Sequence, residues 1–318
     1  MAYVLVAGAA GFLGRHVCRV FAQRGDEVVA IGRGALTVED WKSSGIKLWF
    51  PEDISRDSLE SIPGTPQVIV NCTGTGDSRR SVREPGVDIV EAVSTTTALL
   101  DYSRTHAVNA AFVHVSSGAV FGVPVSLPIP DTAQRAPTSA YGHHKALSEL
   151  LVEEFASQFG VRSTIVRVFS VIGPFQRRQL LWDAAIKARG SAYVFTGTGL
   201  ETRDWVAARD VAALMPIAAG LADCPAVKIN CATSVETTLQ ATLEFLAFTL
   251  GEKVKPVFNG IGSPQTPMRY CGASDAARSA GWAPTQTWQE AVAEFVAWFN
   301  STERPNKRSE FPDRQSSL

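Results

Sequence analysis

The chain has 318 residues, 45% of them hydrophobic and 19% charged, with a formal net charge of −1. This supplies the core of one large or two modest domains, and the near-neutral balance offers no basic patch for nucleic acid or an anionic membrane. No apolar run reaches the about 18 residues that span a bilayer, and Cys18, Cys72, Cys224, Cys231 and Cys271 lack the spacing of a disulfide framework or metal site.

Short β-rich runs alternate with helical patterns over the first two thirds. YVLVAG (3–8) reads as a strand, and a helix is predicted over 12–24. EVVAIG (27–32), IKLWF (46–50) and QVIVNC (67–72) read as further strands, followed by a helix over 88–104. AFVHVSS (111–117), a helix over 142–159 and STIVRVF (163–169) continue the alternation, and VKIN (227–230) is a candidate for the same sheet. This rhythm predicts an α/β fold, a Rossmann-type doubly wound parallel sheet. After Gly173-Pro174 the pattern changes to QLLWDAAIKARG, AYVFTG and two amphipathic helices, LQATLEFLAFTLG and TWQEAVAEFVAWF. We therefore expect a dinucleotide-binding domain over 1–172 plus about 207–232, and a smaller, discontinuous substrate domain over about 173–206 plus 233–300. The polar, Pro-interrupted stretch 301–318 reads as a disordered tail. The start of the chain lacks a basic stretch followed by a long apolar core, which argues against a secretory leader. With free thiols this makes the cytoplasm the expected location.

GAAGFLG places Gly8, Gly11 and Gly14 between the first strand and first helix, the context of a dinucleotide-binding turn. The helix N-terminus there, with Phe12 and Leu13, offers N–H groups to a pyrophosphate. An NAD site carries an acid at the end of the second strand, whereas this chain has Gly32-Arg33-Gly34. Arg33 suits a 2′-phosphate, so NADP is expected, with NAD the alternative. The structural alternative is a solvated arginine after a turn.

Tyr141 and Lys145 lie four apart in a predicted helix and share one face. A free phenol, with a pKa of about 10, is a poor proton carrier at neutral pH. A neighbouring ammonium lowers that value and makes it a usable acid or base. In VSSGAVFG, Ser116 and Ser117 end the fifth strand at the carboxyl edge of the sheet, where a hydroxyl can orient a substrate carbonyl. Alone, each feature has a bland reading, as an aromatic–cation pair or a turn-forming serine.

Together with Asp53-Ile54, RVFSVIGP and RDWVAARDV, these motifs resemble the extended short-chain dehydrogenase/reductase family, also called the NAD-dependent epimerase/dehydratase family, from residue 3 to about 295. The resemblance implies Ser117, Tyr141 and Lys145 as the catalytic triad, with Lys145 also holding the nicotinamide ribose. It implies that Asp53 and Ile54 border the adenine, where an N-cap or turn is the alternative for Asp53. Cys72 and Thr73, in NCTGTG, fall near the expected cofactor, with no base to activate the thiol. Arg203 maps to the arginine presented to the diphosphate of a sugar nucleotide; an ion pair with Asp204 or Asp210 competes. Arg269 resembles a second such arginine. The resemblance further implies a homodimer through segments 88–104 and 142–159.

Departures from the family narrow the chemistry. Gly118 and Ala119 stand where dehydratases of sugar nucleotides carry an Asp-Glu pair, and neither moves a proton. Ala119 also replaces the cysteine used in 3,5-epimerisation, Phe121 replaces a usual Tyr, and the helix lacks the usual Asn near Ala92. Gly118 and Ser117 remain substrate contacts. The expected reaction is NADPH reduction of a 4-keto-6-deoxy sugar nucleotide with Tyr141 as acid. A C4 epimerase of a sugar nucleotide, holding NAD, is the alternative. A reductase of a non-sugar ketone on the same fold is a further one, and a cofactor sensor or RNA-binding protein with a dead site stands outside the class. His143 and His144 are read as surface or satisfied histidines, His114 and Trp182 as core, Trp282 as packing. Phe175 is a candidate stacking residue, and stretch 81–87 a candidate cover for the cleft.

Overall fold

The computed structural model describes residues 1–34, 36–74, 76, 78–190, 192–262 and 267–302. Its strands are β1 (Tyr3–Ala7), β2 (Glu27–Ile31), β3 (Ile46–Phe50), β4 (Val68–Asn71), β5 (Ala111–Ser117), β6 (Ser163–Val168), β7 (Ser170–Ile172), β8 (Val194–Phe195), β9 (Thr202–Ala207), β10 (Val227–Cys231), β11 (Glu236–Thr238) and β12 (Val257–Phe258). The helices are α1 (Phe12–Gln23), α2 (Val38–Ser43), α3 (Arg56–Glu60), α4 (Ser78–Arg83), α5 (Pro85–His106), α6 (Ala140–Phe159), α7 (Gln179–Ala188), α8 (Ala208–Leu221), α9 (Leu239–Leu250), α10 (Asp275–Ser279) and α11 (Trp288–Thr302).

Seven strands form one parallel sheet in the order β3-β2-β1-β4-β5-β6-β10. β1 shows why both faces must be covered. Val4 and Val6 point into one core with Val17, Phe21, Val211 and Met215, while Leu5 and Ala7 point into the other with Leu99, Leu100, Val152 and Ala156. α1 and α8 therefore cover one face, and α5 and α6 the other. Strand order reverses between β1 and β4, and ligands bind in the crevice outside the carboxyl ends at such a switch point. A second, three-stranded sheet has the order β11-β9-β7. A third core packs α7, α9 and α11 together with Trp205 and Ala207 of β9. Among the described residues, no helix is long and apolar enough to cross a membrane.

The sequence pattern located the sheet to within a residue or two but missed α8. Pro216 lies inside that helix, and a proline normally ends or kinks one. β8 is only Val194–Phe195, shorter than the strand expected from AYVFTG. Ser301 and Thr302 complete α11 rather than opening a tail, and residues 303–318 of that expected tail lie outside the described residues.

Candidate active site

A cleft of about 1380 Å³ opens along the carboxyl ends of the strands. Gly8, Gly11, Phe12 and Leu13 line it where β1 turns into α1. Gly11 is the N-cap of α1, with no side-chain cap and no acid in the first turn, which leaves N–H groups of the helix end for an anionic ligand. Gly8 has φ +81°, and a Cβ there would stand 2.9 Å from the Cys72 carbonyl. Gly14 is not in the lining; it sits beneath the turn, with its Cβ position 2.2 Å from the Gly8 oxygen. The glycines thus form a cradle whose shape suits a pyrophosphate.

β5 and α6 bring Ser117, Tyr141 and Lys145 to the same cleft. The Ser139 hydroxyl caps α6 by accepting from the Gly142 N–H at 3.1 Å, so Tyr141 lies in the first turn and Lys145 one turn on. Burial raises the phenol's pKa, the neighbouring Ser117 side chain lowers it, and the Asp88 charge raises it. The expected acidifying role of Lys145 is not what this geometry shows. Its Nζ donates to the carbonyls of Val115 at 3.0 Å and Thr73 at 3.5 Å, and burial holds the ammonium below the usual lysine value. Cys72 and Thr73 line the cleft, but burial pushes the Cys72 thiol up to about 12, so it is no nucleophile.

Arg33, Asp53 and Ile54 line the end of the cleft beyond β2. Arg33 is already engaged by carboxylates. Nη1 and Nη2 donate to the two oxygens of Glu91 on α5 at 3.1 and 3.0 Å, and Nε stands 3.3 Å from Asp53. Ser55, not Asp53, caps α3.

Arg203 and Gly118 line the opposite part of the cleft. Neither competing acid takes Arg203. Asp204 accepts from Thr233, Ser234 and Gly272, and Asp210 from Thr285 and Gln286. The guanidinium donates instead to the carbonyls of Thr202 at 2.5 Å and Pro267 at 3.3 Å, and burial lowers its pKa. Among the described residues no carboxylate pairs with it, so a buried positive charge faces the cleft. Arg269 is a correction: it is outside the lining, 65% exposed, and ion-paired with Glu236. Tyr270 occupies the neighbouring space. Its ring lies 3.2 Å from a Cβ position at Gly118, and its hydroxyl donates to the Gly118 carbonyl.

Three groups near the site escaped the sequence reading. Glu91 is one. The second is Asp88, whose Oδ2 stands 2.6 Å from Nδ1 of His144, with Ser81 donating to the same oxygen at 2.7 Å; His144 is thus a satisfied histidine, one of the two readings given to it. The third is Glu149, fully buried two turns beyond Tyr141. No spacing rule joins such partners, because they come from different elements. His143 is exposed, His114 buried within β5, and Trp182 packs on Phe299. Phe175, Arg80 and Val82 line the cleft, and the Trp282 indole donates to the Asp210 carbonyl at 2.9 Å.

The model of the NAD dependent epimerase/dehydratase family matches residues 4–229. The chain belongs to this family. It is therefore built as an enzyme that works with a nicotinamide dinucleotide. Among family relatives, it is 27% identical over 264 residues to a UDP-glucose 4-epimerase of Rhizobium meliloti, covering 76% of this chain and 80% of that one. The solved UDP-glucose 4-epimerase of Thermotoga maritima with UDP-glucose superimposes with a TM-score of 0.84 at 25% identity, covering 94% and 99% of the two chains. The dTDP-glucose 4,6-dehydratase of Streptomyces venezuelae gives 0.85 at 22%, covering 95% and 98%. That last likeness is of fold alone, so the family's fold carries both chemistries and only site residues separate them.

Proposed function

We propose that the protein is a C4 epimerase of a sugar nucleotide, with NAD as its dinucleotide. The observation that carries this reading is the convergence of Ser117, Tyr141, Lys145 and Arg203, which no carboxylate among the described residues pairs, on the cleft that begins at the uncapped glycine turn. The glycine turn and Lys145 would hold the dinucleotide, which would supply reversible hydride acceptance at the sugar carbon. Tyr141 takes the proton from the C4 hydroxyl and gives it back, and Ser117 orients that oxygen by hydrogen bonding. Lys145, one turn beyond Tyr141, holds the ribose. Arg203 takes the diphosphate with its forked donors, which counts against a non-sugar ketone as substrate. Gly118 and Ala119 supply no second proton carrier, which counts against 4,6-dehydration.

Reduction of a 4-keto-6-deoxy sugar nucleotide by NADPH uses the same side chains. The names of the relatives support the epimerase over it, and the pairing of Arg33 with Glu91 supports NAD over NADP. A second copy is expected to pack on α5 and α6, where Val87, Val90, Leu147 and Leu150 are exposed. The test is incubation of purified protein with NAD and UDP-glucose, following UDP-galactose by NMR. Interconversion that is lost in Tyr141→Phe is the expected result. Stoichiometric NADPH consumption with a 4-keto-6-deoxy sugar nucleotide, and no interconversion, overturns it.

A further inference from the structure

We propose that Glu91 sets the choice between the two nicotinamide dinucleotides by occupying Arg33. This rests on the reading that the cleft holds such a dinucleotide. Residues at the end of β2 face the adenosine ribose, where NAD carries a 2′-hydroxyl and NADP a 2′-phosphate. Arg33 is there, but each of its Nη groups already donates to Glu91. Arg80 of α4 grips the same carboxylate from the other side, with Nη1 and Nη2 each 3.1 Å from an oxygen.

Glu91 therefore receives four N–H donors. An ionised carboxylate has about four acceptor sites, so none is left for a ribose hydroxyl. Glu91 does not replace the missing acid of β2 as a hydroxyl acceptor. It acts by withdrawing the guanidinium fork that a 2′-phosphate requires. Asp53, 3.3 Å from Arg33 Nε, adds a second negative charge. The Arg33 and Arg80 charges are matched by Glu91, Asp53 and Glu84, which stands 3.5 Å from Arg80 Nε, so a phosphate entering this cluster meets no net positive charge. A hydroxyl meets no such penalty.

The test is calorimetric titration of NAD⁺ and NADP⁺ into the intact protein, into Glu91→Gln, and into Glu91→Gln combined with Arg33→Ala. The wild type is expected to prefer NAD⁺. Glu91→Gln keeps the shape, frees both arginines, and is expected to improve NADP⁺ affinity relative to NAD⁺ tenfold or more, with the gain shrinking in high salt. Adding Arg33→Ala is expected to erase it. A gain under tenfold, or one that survives Arg33→Ala, overturns the role of Glu91 and leaves the dinucleotide site standing. A wild type preferring NADP⁺ overturns it too. A wild type binding neither dinucleotide overturns both this role and the reading beneath it.

Discussion

Glu149 accepts a 2.6 Å hydrogen bond from the Ser116 hydroxyl, 33 residues earlier in the chain. Ser116 precedes Ser117 at the end of β5, and Glu149 lies on α6, which carries Tyr141 and Lys145. The carboxylate also accepts from Arg167 of β6 at 2.8 Å and from Arg135 at 3.1 Å. One buried carboxylate thus fixes the spacing between the strand that supplies the serine and the helix that supplies the phenol and amine. Such a cluster holds geometry only while every member is satisfied.

Removing Glu149 should be costly. Glu149→Leu leaves the Arg167 guanidinium, whose side chain is 3% exposed, without its partner, and breaking a buried pair in this way costs about 3–5 kcal/mol. Arg135→Ala should cost less, since Arg135 is 21% exposed and water can replace it around the remaining Glu149–Arg167 pair. Denaturant midpoints measure both, and equal losses would contradict the argument.

The glycines should separate sharply. Gly14→Ala puts a methyl 2.2 Å from the Gly8 oxygen and 2.7 Å from the Ala9 Cα, both backbone atoms. The turn must then shift, and dinucleotide affinity should fall at least about tenfold, a loss of about 1.4 kcal/mol. Gly220, in α8, has open space at its Cβ position and no positive φ. Gly220→Ala should stabilise by about 0.5–1 kcal/mol through helix propensity. Calorimetric titration and thermal melts report the two effects.

Arg203→Lys keeps the charge but loses the fork. Substrate affinity should weaken about tenfold or more, while dinucleotide binding stays unchanged. Titration with a UDP-hexose and, separately, with NAD⁺ checks this. Equal weakening of both would place Arg203 outside the sugar-nucleotide end of the cleft.

His114 should make stability depend on pH. Asn71 Oδ1 accepts from the Thr73 N–H at 3.0 Å, which turns its Nδ2 towards His114 Nδ1 at 3.2 Å. The imidazole accepts there and is neutral, and burial followed by the Lys145 charge lowers its pKa to about 3. An unfolded histidine takes its proton at about 6.5. The unfolded chain therefore binds more protons between those values, and stability, full above about 6.5, falls as the pH drops towards 3. His114→Gln should flatten that part of the curve of unfolding free energy against pH. An unchanged slope would contradict the buried neutral imidazole.

Much of this was legible in the chain itself. The β1 run, the glycine turn, and Tyr141 and Lys145 four residues apart are local patterns, fixed by strand and helix periods and by the space a missing Cβ leaves. They determine the sheet, the cleft at its carboxyl edge, and which side chains face it. What Arg33, Arg203 and Lys145 do with their charges was decided by the tertiary structure. Arg33 meets Glu91, 58 residues away; among the described residues Arg203 is left without a carboxylate partner, because Asp204 and Asp210 serve loops from distant segments; Lys145 turns to backbone carbonyls. Charge pairing acts through space over a few ångströms, and only packing decides which partners lie within that reach.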